Sequence, residues 1–307
     1  MATPHAITTN NPLCVAPTAD RCGEGAVWDA RSGAVYWTDI NRFLIHRFRV
    51  HDACVRTWFF DEPVTAMVLT DREDTFAVVL GSKVVLWKPE DDRRTEQGFS
   101  LKSWPHVRLN DARADPRGSL WVGSMRNNVN PDGTSEEAGG TDGVLYRIDP
   151  DGTVTQWKDA VGISNTLVWS PDRKFFYFAD TLANAIHVFE YDEATGNISR
   201  ERDFFTGFPR GFPDGSTMDA EGYLWNCRWG GACIVRVAPD ASIDRVIEMP
   251  TANITTCTFG NSDLKTLYVT TAASDVPGDR FAGGLFAIPT DVQGQPENRF
   301  RVFGAAS

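Results

Sequence analysis

Nowhere in the 307-residue sequence do about 18 apolar residues follow one another, so no transmembrane helix is expected. The opening residues, MATPHAITTNNPL, lack a basic stretch followed by an apolar one, and no secretory signal is expected. Cysteine is sparse: six residues at 14, 22, 54, 227, 233 and 257, with no CxxC pair. That spacing sets aside a zinc knuckle and a thioredoxin-type dithiol, and six reduced thiols in a cytoplasmic protein are the simple reading. Histidine is sparser still, with five residues at 5, 46, 51, 106 and 187. Basic charge is in deficit, 30 Lys and Arg against 41 Asp and Glu, for a formal net charge of −11. An acidic chain of this kind argues against nucleic acid and anionic membranes as partners. No long amphipathic helical pattern and no large apolar surface patch can be read, so a monomer is expected.

What the chain has is aromatic residues, ten Trp and nineteen Phe among them, and an internal repeat. A short apolar segment, a polar turn and an aromatic-rich strand recur six times, beginning at Val27, Val68, Ala112, Leu167, Ser216 and Thr258. The matching second-strand residues are Trp37, Ala77, Trp121, Tyr177, Trp225 and Tyr268. Further strands follow at 45–48, 83–87, 144–148, 185–191, 233–237 and 284–288, punctuated by clusters such as Asp149-Pro150-Asp151-Gly152. Six similar units of about four strands each are best closed radially, because closure removes exposed sheet edges. The expected fold is therefore all-β, a six-bladed β-propeller. Residues 13–307 would form this single domain, residues 1–12 a flexible leader, and the segment 13–16 would add a strand to the last blade. A two-sheet sandwich is the alternative, but it does not account for a sixfold repeat.

The turn residues of the six copies are Asp29, Asp71, Asp115, Ser170, Asp219 and Asn261. Five residues before them stand Glu24, Ala66, Asn110, Asn165, Asp214 and Thr256. In a propeller these positions lie at one level on one rim of the central channel. Four of the six carry a carboxylate or a carboxamide, and Asp111 lies beside Asn110. Oxygen donors suit hard divalent cations, and no histidine falls on this level. Two carboxylates converging without a cation would repel, and a pKa would rise. The plainer alternative is that each polar group satisfies backbone where a strand enters the channel.

Four stretches, CGEGAVWD, RLNDARADPRGSLWVGSM, ISNTLVWSPD and FPDGSTMDAEGYLW, together resemble the SMP-30/gluconolactonase/LRE-like family, over residues 22–288. GYLWNCRWGGACIVRVAPD and SDLKTLYVTTA are most similar to its bacterial sugar-lactonase branch. The resemblance implies a propeller with one divalent metal ion (Ca²⁺, Zn²⁺, Mn²⁺, Mg²⁺ or Fe²⁺) held by Glu24, Asn165 and Asp214. It implies substrate contacts from Arg108, Asn110 and Asp111. Some members place a Glu in the loop after Gly-Thr-Met. Here the segment is Gly123-Ser124-Met125-Arg126-Asn127-Asn128, so this loop departs from the family pattern, and Asn128, near that place, is its candidate substrate contact.

The activity expected from this resemblance is metal-dependent opening of sugar-acid lactones, pentono- or hexonolactones, to aldonic acids. Asp214 would act as metal ligand and general base, with Asp111 as second choice for the base. A related propeller esterase or phosphotriesterase, and a non-enzymatic metal-binding propeller, are the alternatives. The segment 127–142, rich in Gly, Asn and Glu, reads as a mobile loop that either caps substrate or is simply solvated. Trp229-Gly230-Gly231 reads equally as pocket mouth or blade turn. His187 reads as a satisfied core histidine and Cys22 as a small buried thiol.

Overall fold

A computed structural model describes the backbone of residues 6–7 and the chain from 11 to 302. Twenty-five strands and no helix are found among the described residues, so none holds a helix long and apolar enough to cross a membrane. The strands form six sheets, each built on four antiparallel strands. Blade 1 spans strands Gly23–Asp29 to Cys54–Phe59, blade 2 Val64–Leu69 to Arg93–Ser100, and blade 3 Val107–Ala114 to Val154–Val161. Blade 4 spans Ser164–Trp169 to Asn197–Thr206, and blade 5 Phe212–Met218 to Ile243–Glu248. Blade 6 takes Ile254–Gly260, Thr266–Thr271 and Leu285–Pro289, and its outermost strand is Leu13–Ala16 from the other end of the chain. That strand pairs Leu13 with Ala287 and Cys14 with Phe286. Chain-end residues thus close the ring, as the 13–16 segment suggested. Ala6–Ile7 adds a short parallel strand to blade 5, while residues 1–5 and 8–10 lie outside the described residues.

The six inner strands stand side by side around the channel, with blade 6 returning to blade 1. They are buried almost throughout, because the next blade covers each face. Outer strands such as Arg93–Ser100 face water and turn polar. Aromatic layers fill the spaces between blades: Tyr36, Trp58, Phe76 and Trp87 between blades 1 and 2, Trp121, Trp169 and Phe176 between blades 3 and 4. The repeat's turn residue has a fixed task. Asp115 accepts from the Ser119 backbone and from the Trp121 indole, and Asp219 does the same for Tyr223 and Trp225. In blade 1 the register places Tyr36, not Trp37, at the equivalent position, opposite Val27, and Trp37 on the other face donates to Asp20 at 2.7 Å.

One element was not legible in the repeat. Residues 293–302 cross the turn end of the channel. Backbone bonds tie them to Ala220 and Met218 of blade 5, Leu69 and Asp71 of blade 2, and Gly118 of blade 3. In the middle of this strap, Glu297 accepts from Arg113 of blade 3 at 2.5 Å and from Thr258 of blade 6 at 3.1 Å.

Candidate active site

Each of the six inner strands changes register against its neighbour near the channel mouth. The shifts fall between Glu24 and Val27, Val64 and Ala66, Leu109 and Ala112, Asn165 and Val168, Pro213 and Ser216, and Ile254 and Cys257. Every one of the six positions read from the repeat lies at or inside such a bulge. A bulge breaks the two-residue alternation and re-aims a side chain. Here it turns oxygen donors from blades 1, 3, 4 and 5 toward the mouth.

The bulges are held by specific contacts. Gly25 takes φ +57 beside the Ala66 backbone, where a Cβ would sit 3.0 Å from Ala66 Cα. Thr166 takes φ +55, costly for a β-branched residue. Its hydroxyl donates to the Asp214 carbonyl at 2.5 Å and meets Ser216 Oγ at 2.8 Å, and Asn226 donates to the same carbonyl at 3.3 Å. Thr181 bridges Asn165 Nδ2 at 2.9 Å to the Pro213 carbonyl at 2.8 Å. Thr166 and Thr181 were missed by the sequence reading. For Thr181 a signal existed, since second strands end at this rim and Thr181 directly follows Asp180, the last residue of one.

The mouth opens into a cavity of about 500 Å³. Glu24, Arg108, Asn110, Asn128, Asn165 and Asp214 all line it. Asp111 does not. Its side chain accepts from the Ala112 backbone at 2.8 Å and borders a small space toward Arg113 and Glu297, under the mouth. The expected direct contact of Asp111 with substrate is therefore not what the geometry places, because the bulge sends adjacent side chains to opposite sides.

Arg108 is buried and clamped. Its Nε and Nη2 donate to Asn128 Oδ1 at 3.2 and 3.0 Å, and its Nη1 donates to Asn110 Oδ1 at 2.6 Å and the Leu109 carbonyl at 3.1 Å. Asn110 in turn donates to the Ser164 carbonyl at 2.9 Å and to Asn165 Oδ1 at 3.2 Å. Burial pulls the Arg108 pKa down to about 10.

The carboxyls behave as converging like charges do. Burial first, then the Asp111 charge, pushes Glu24 up to about 8, against the backbone N–H of Gly25 that favours its ionised form. Asp214 is pushed well above the carboxylate range by burial and by Glu24, with which it shares a hydrogen bond. Burial raises Asp111 to about 6. Cys22, half-buried at the cavity wall, is raised by burial and then by Glu24 and Asp214, so it stays a thiol. None of the described histidines lines the cavity, and His187 faces Asp203 at 3.1 Å on the outer part of blade 4.

The segment 127–142 is a docked hairpin rather than a free loop. Val129 pairs with Ser135, and the segment reaches blade 1, where Asn41 donates to the Gly133 carbonyl and Ser135 Oγ and Arg21 donates to the Gly133 carbonyl. Ser135, Glu136 and Glu137 thereby form one cavity wall.

Among the described residues no three His, Cys, Asp and Glu side chains cluster as a metal-holding group. The mouth instead offers two carboxylates, completed by the carboxamide of Asn165. All are hard oxygen donors, and burial first, then the neighbouring carboxylates, raises the two carboxyls. This donor set fits a divalent cation of the Ca²⁺, Mg²⁺ or Mn²⁺ kind.

Six blades around a mouth of oxygen donors define a propeller of the small-molecule-site class. The chain belongs to the SMP-30/Gluconolactonase/LRE-like family, whose region matches residues 22–273. It is 35% identical to the pentonolactonase XacC of Haloferax volcanii over 93% of this chain and 96% of that protein. It is 32% identical to the regucalcin of Oryctolagus cuniculus over 90% and 93% of the two chains. Among solved structures, one described as a calcium-binding protein, regucalcin, from Agrobacterium tumefaciens superimposes with a TM-score of 0.86. That match has 26% identity and covers 98% of this chain and 100% of that one.

Proposed function

We propose that this chain is a sugar lactonase that opens pentono- or hexonolactones to aldonic acids with one divalent cation at Glu24, Asn165 and Asp214. The observation that carries the reading is the convergence of these three oxygen donors with the Arg108–Asn110–Asn128 bank on one cavity. The names of the relatives, a pentonolactonase among them, support it. The bound cation would supply polarisation of the lactone carbonyl and charge compensation for the carboxylates.

The remaining work falls to the chain's own groups. Asp214, ionised once its charge is compensated, takes a proton from the attacking water. Water oxygen bonds to the carbonyl carbon, the ring C–O bond breaks, and the ring oxygen leaves as a hydroxyl with the proton that Asp214 has taken from water. Of Arg108's five N–H groups, four are committed, which leaves one for substrate. Its main task is to fix Asn110 and Asn128 and to place positive charge beside the developing oxyanion. Asn110 keeps the Asn165 carboxamide aimed. The donors are held before substrate arrives, which spares reorganisation during reaction.

The test is proton release in weak buffer from xylono-, arabinono-, galactono- and gluconolactones, beside a phosphotriester and a simple aryl ester. Turnover of one or two lactones well above both esters is expected. Turnover of the phosphotriester with no lactone opened overturns the reading.

A further inference from the structure

Six of the large apolar side chains that stand exposed among the described residues are scattered over outer strands and one loop of blade 6. The other three, Leu182, Phe212 and Trp229, all line the cavity. Phe212 and Trp229 lie directly opposite each other in the blade 5 ladder, so their side chains share a face. Leu182 follows Thr181 at the neighbouring rim of blade 4.

The platform under the two rings is built and fixed. Arg228, 1% exposed, donates to the carbonyls of Arg210 at 3.1 Å and Gly211 at 2.6 Å, and to Asn184 Oδ1 at 2.7 Å. Arg210 returns a bond to the Gly231 carbonyl at 3.0 Å. The segments before Phe212 and after Trp229 are thus tied to each other. The rings face the cavity from held backbone.

The wall from blade 1 and the 127–142 hairpin carries more polar groups, Arg21, Asn41, Ser135, Glu136 and Glu137, with Ile40 and Ala138 among them. A pentonolactone has about ten non-hydrogen atoms, whereas cavities of roughly 300–1,000 Å³ bury considerably larger ligands. At about 500 Å³ the cavity leaves room beyond the lactone ring on the apolar side. A fully hydroxylated tail pressed there would lose its water without gaining partners.

Resting on the lactonase reading, we propose that Leu182, Phe212 and Trp229 form a subsite for an apolar substituent on the lactone's exocyclic carbon. The preferred lactones then carry a deoxy or alkyl tail. The test compares kcat/KM for a pentono-1,4-lactone with that for its analogue bearing butyl in place of the hydroxymethyl group. Wild-type protein is expected to favour the butyl lactone by at least about ten-fold. Phe212→Ser and Trp229→Ser should each bring that ratio toward one. Phe59→Ser, an exposed position on the outer strand of blade 1, should leave the ratio as in wild type. A wild-type ratio at or below one, or a ratio untouched by both cavity variants, overturns the subsite while the lactonase reading stands. Turnover of neither lactone, with the xylono-, arabinono-, galactono- and gluconolactones also left unopened, overturns both.

Discussion

Asn128 accepts two hydrogen bonds from Arg108, at the place where some family members carry a carboxylate. The neutral acceptor orients the guanidinium without cancelling its charge, which leaves Arg108 available to a developing anion. Asn128→Ala should therefore raise KM about ten-fold by freeing the guanidinium, with a smaller effect on kcat; steady-state kinetics on a turned-over lactone checks this. Asp214→Asn keeps the size and the backbone contacts of the bulge but removes the base. It should lower kcat by about 10²–10⁴-fold with an unchanged circular dichroism spectrum. At this scale the sequence was informative where the repeat set the phase: Glu24, Asn110, Asn165 and Asp214 all reach the cavity. Asp111 lines the space under the mouth instead, and simple strand counting cannot see which of two adjacent residues a bulge turns inward.

The inner-strand bulges and the 293–302 strap decide the site's shape at the scale of elements. The bulges leave no sequence mark of their own: Gly25 permits a left-handed backbone, but Thr166 adopts one without being Gly. The hairpin 127–142 read as a mobile loop, capping or solvated, because its anchor, Asn41, lies some ninety residues away in blade 1. The strap was invisible for a similar reason, since its partners belong to blades 2, 3, 5 and 6. Its central pair is Arg113 with Glu297, both largely buried. Glu297→Ala leaves a mostly buried guanidinium without its carboxylate. It should cost about 1–3 kcal/mol of stability, read as a lowered denaturation midpoint in urea at unchanged m. A loss below about 0.5 kcal/mol would show that the strap merely lies against the ring.

For the whole molecule, ring closure and blade number were legible, because aromatic layers repeat at blade spacing and the 13–16 segment matches an open edge in blade 6. The electrostatics of the closed ring follow from that convergence. Glu24, raised to about 8, and Asp111, raised to about 6, bind protons more tightly folded than unfolded. Their contribution to stability is fully present below the ordinary carboxylate range near pH 4 and is lost as pH rises through about 6 and then about 8. Chelated protein should therefore show a falling Tm from pH 5 to pH 8 by scanning calorimetry. Glu24→Gln should flatten that fall, and millimolar divalent cation at pH 8 should reverse it. A flat profile for the chelated wild type, identical to that of Glu24→Gln, would remove the basis for reading these carboxyls as a cation site.

The central claim is that one cation-dependent centre at Glu24, Asn165 and Asp214 opens lactones. The most direct measurement is the initial rate of pentonolactone opening after chelation, followed by titration with a single divalent ion, for wild type and Glu24→Gln side by side. The account predicts a chelated wild type reduced to background, saturable recovery with one cation per chain, and a variant that needs far more cation for any recovery. Full activity in the chelated protein, or the same cation dependence in both chains, would contradict it.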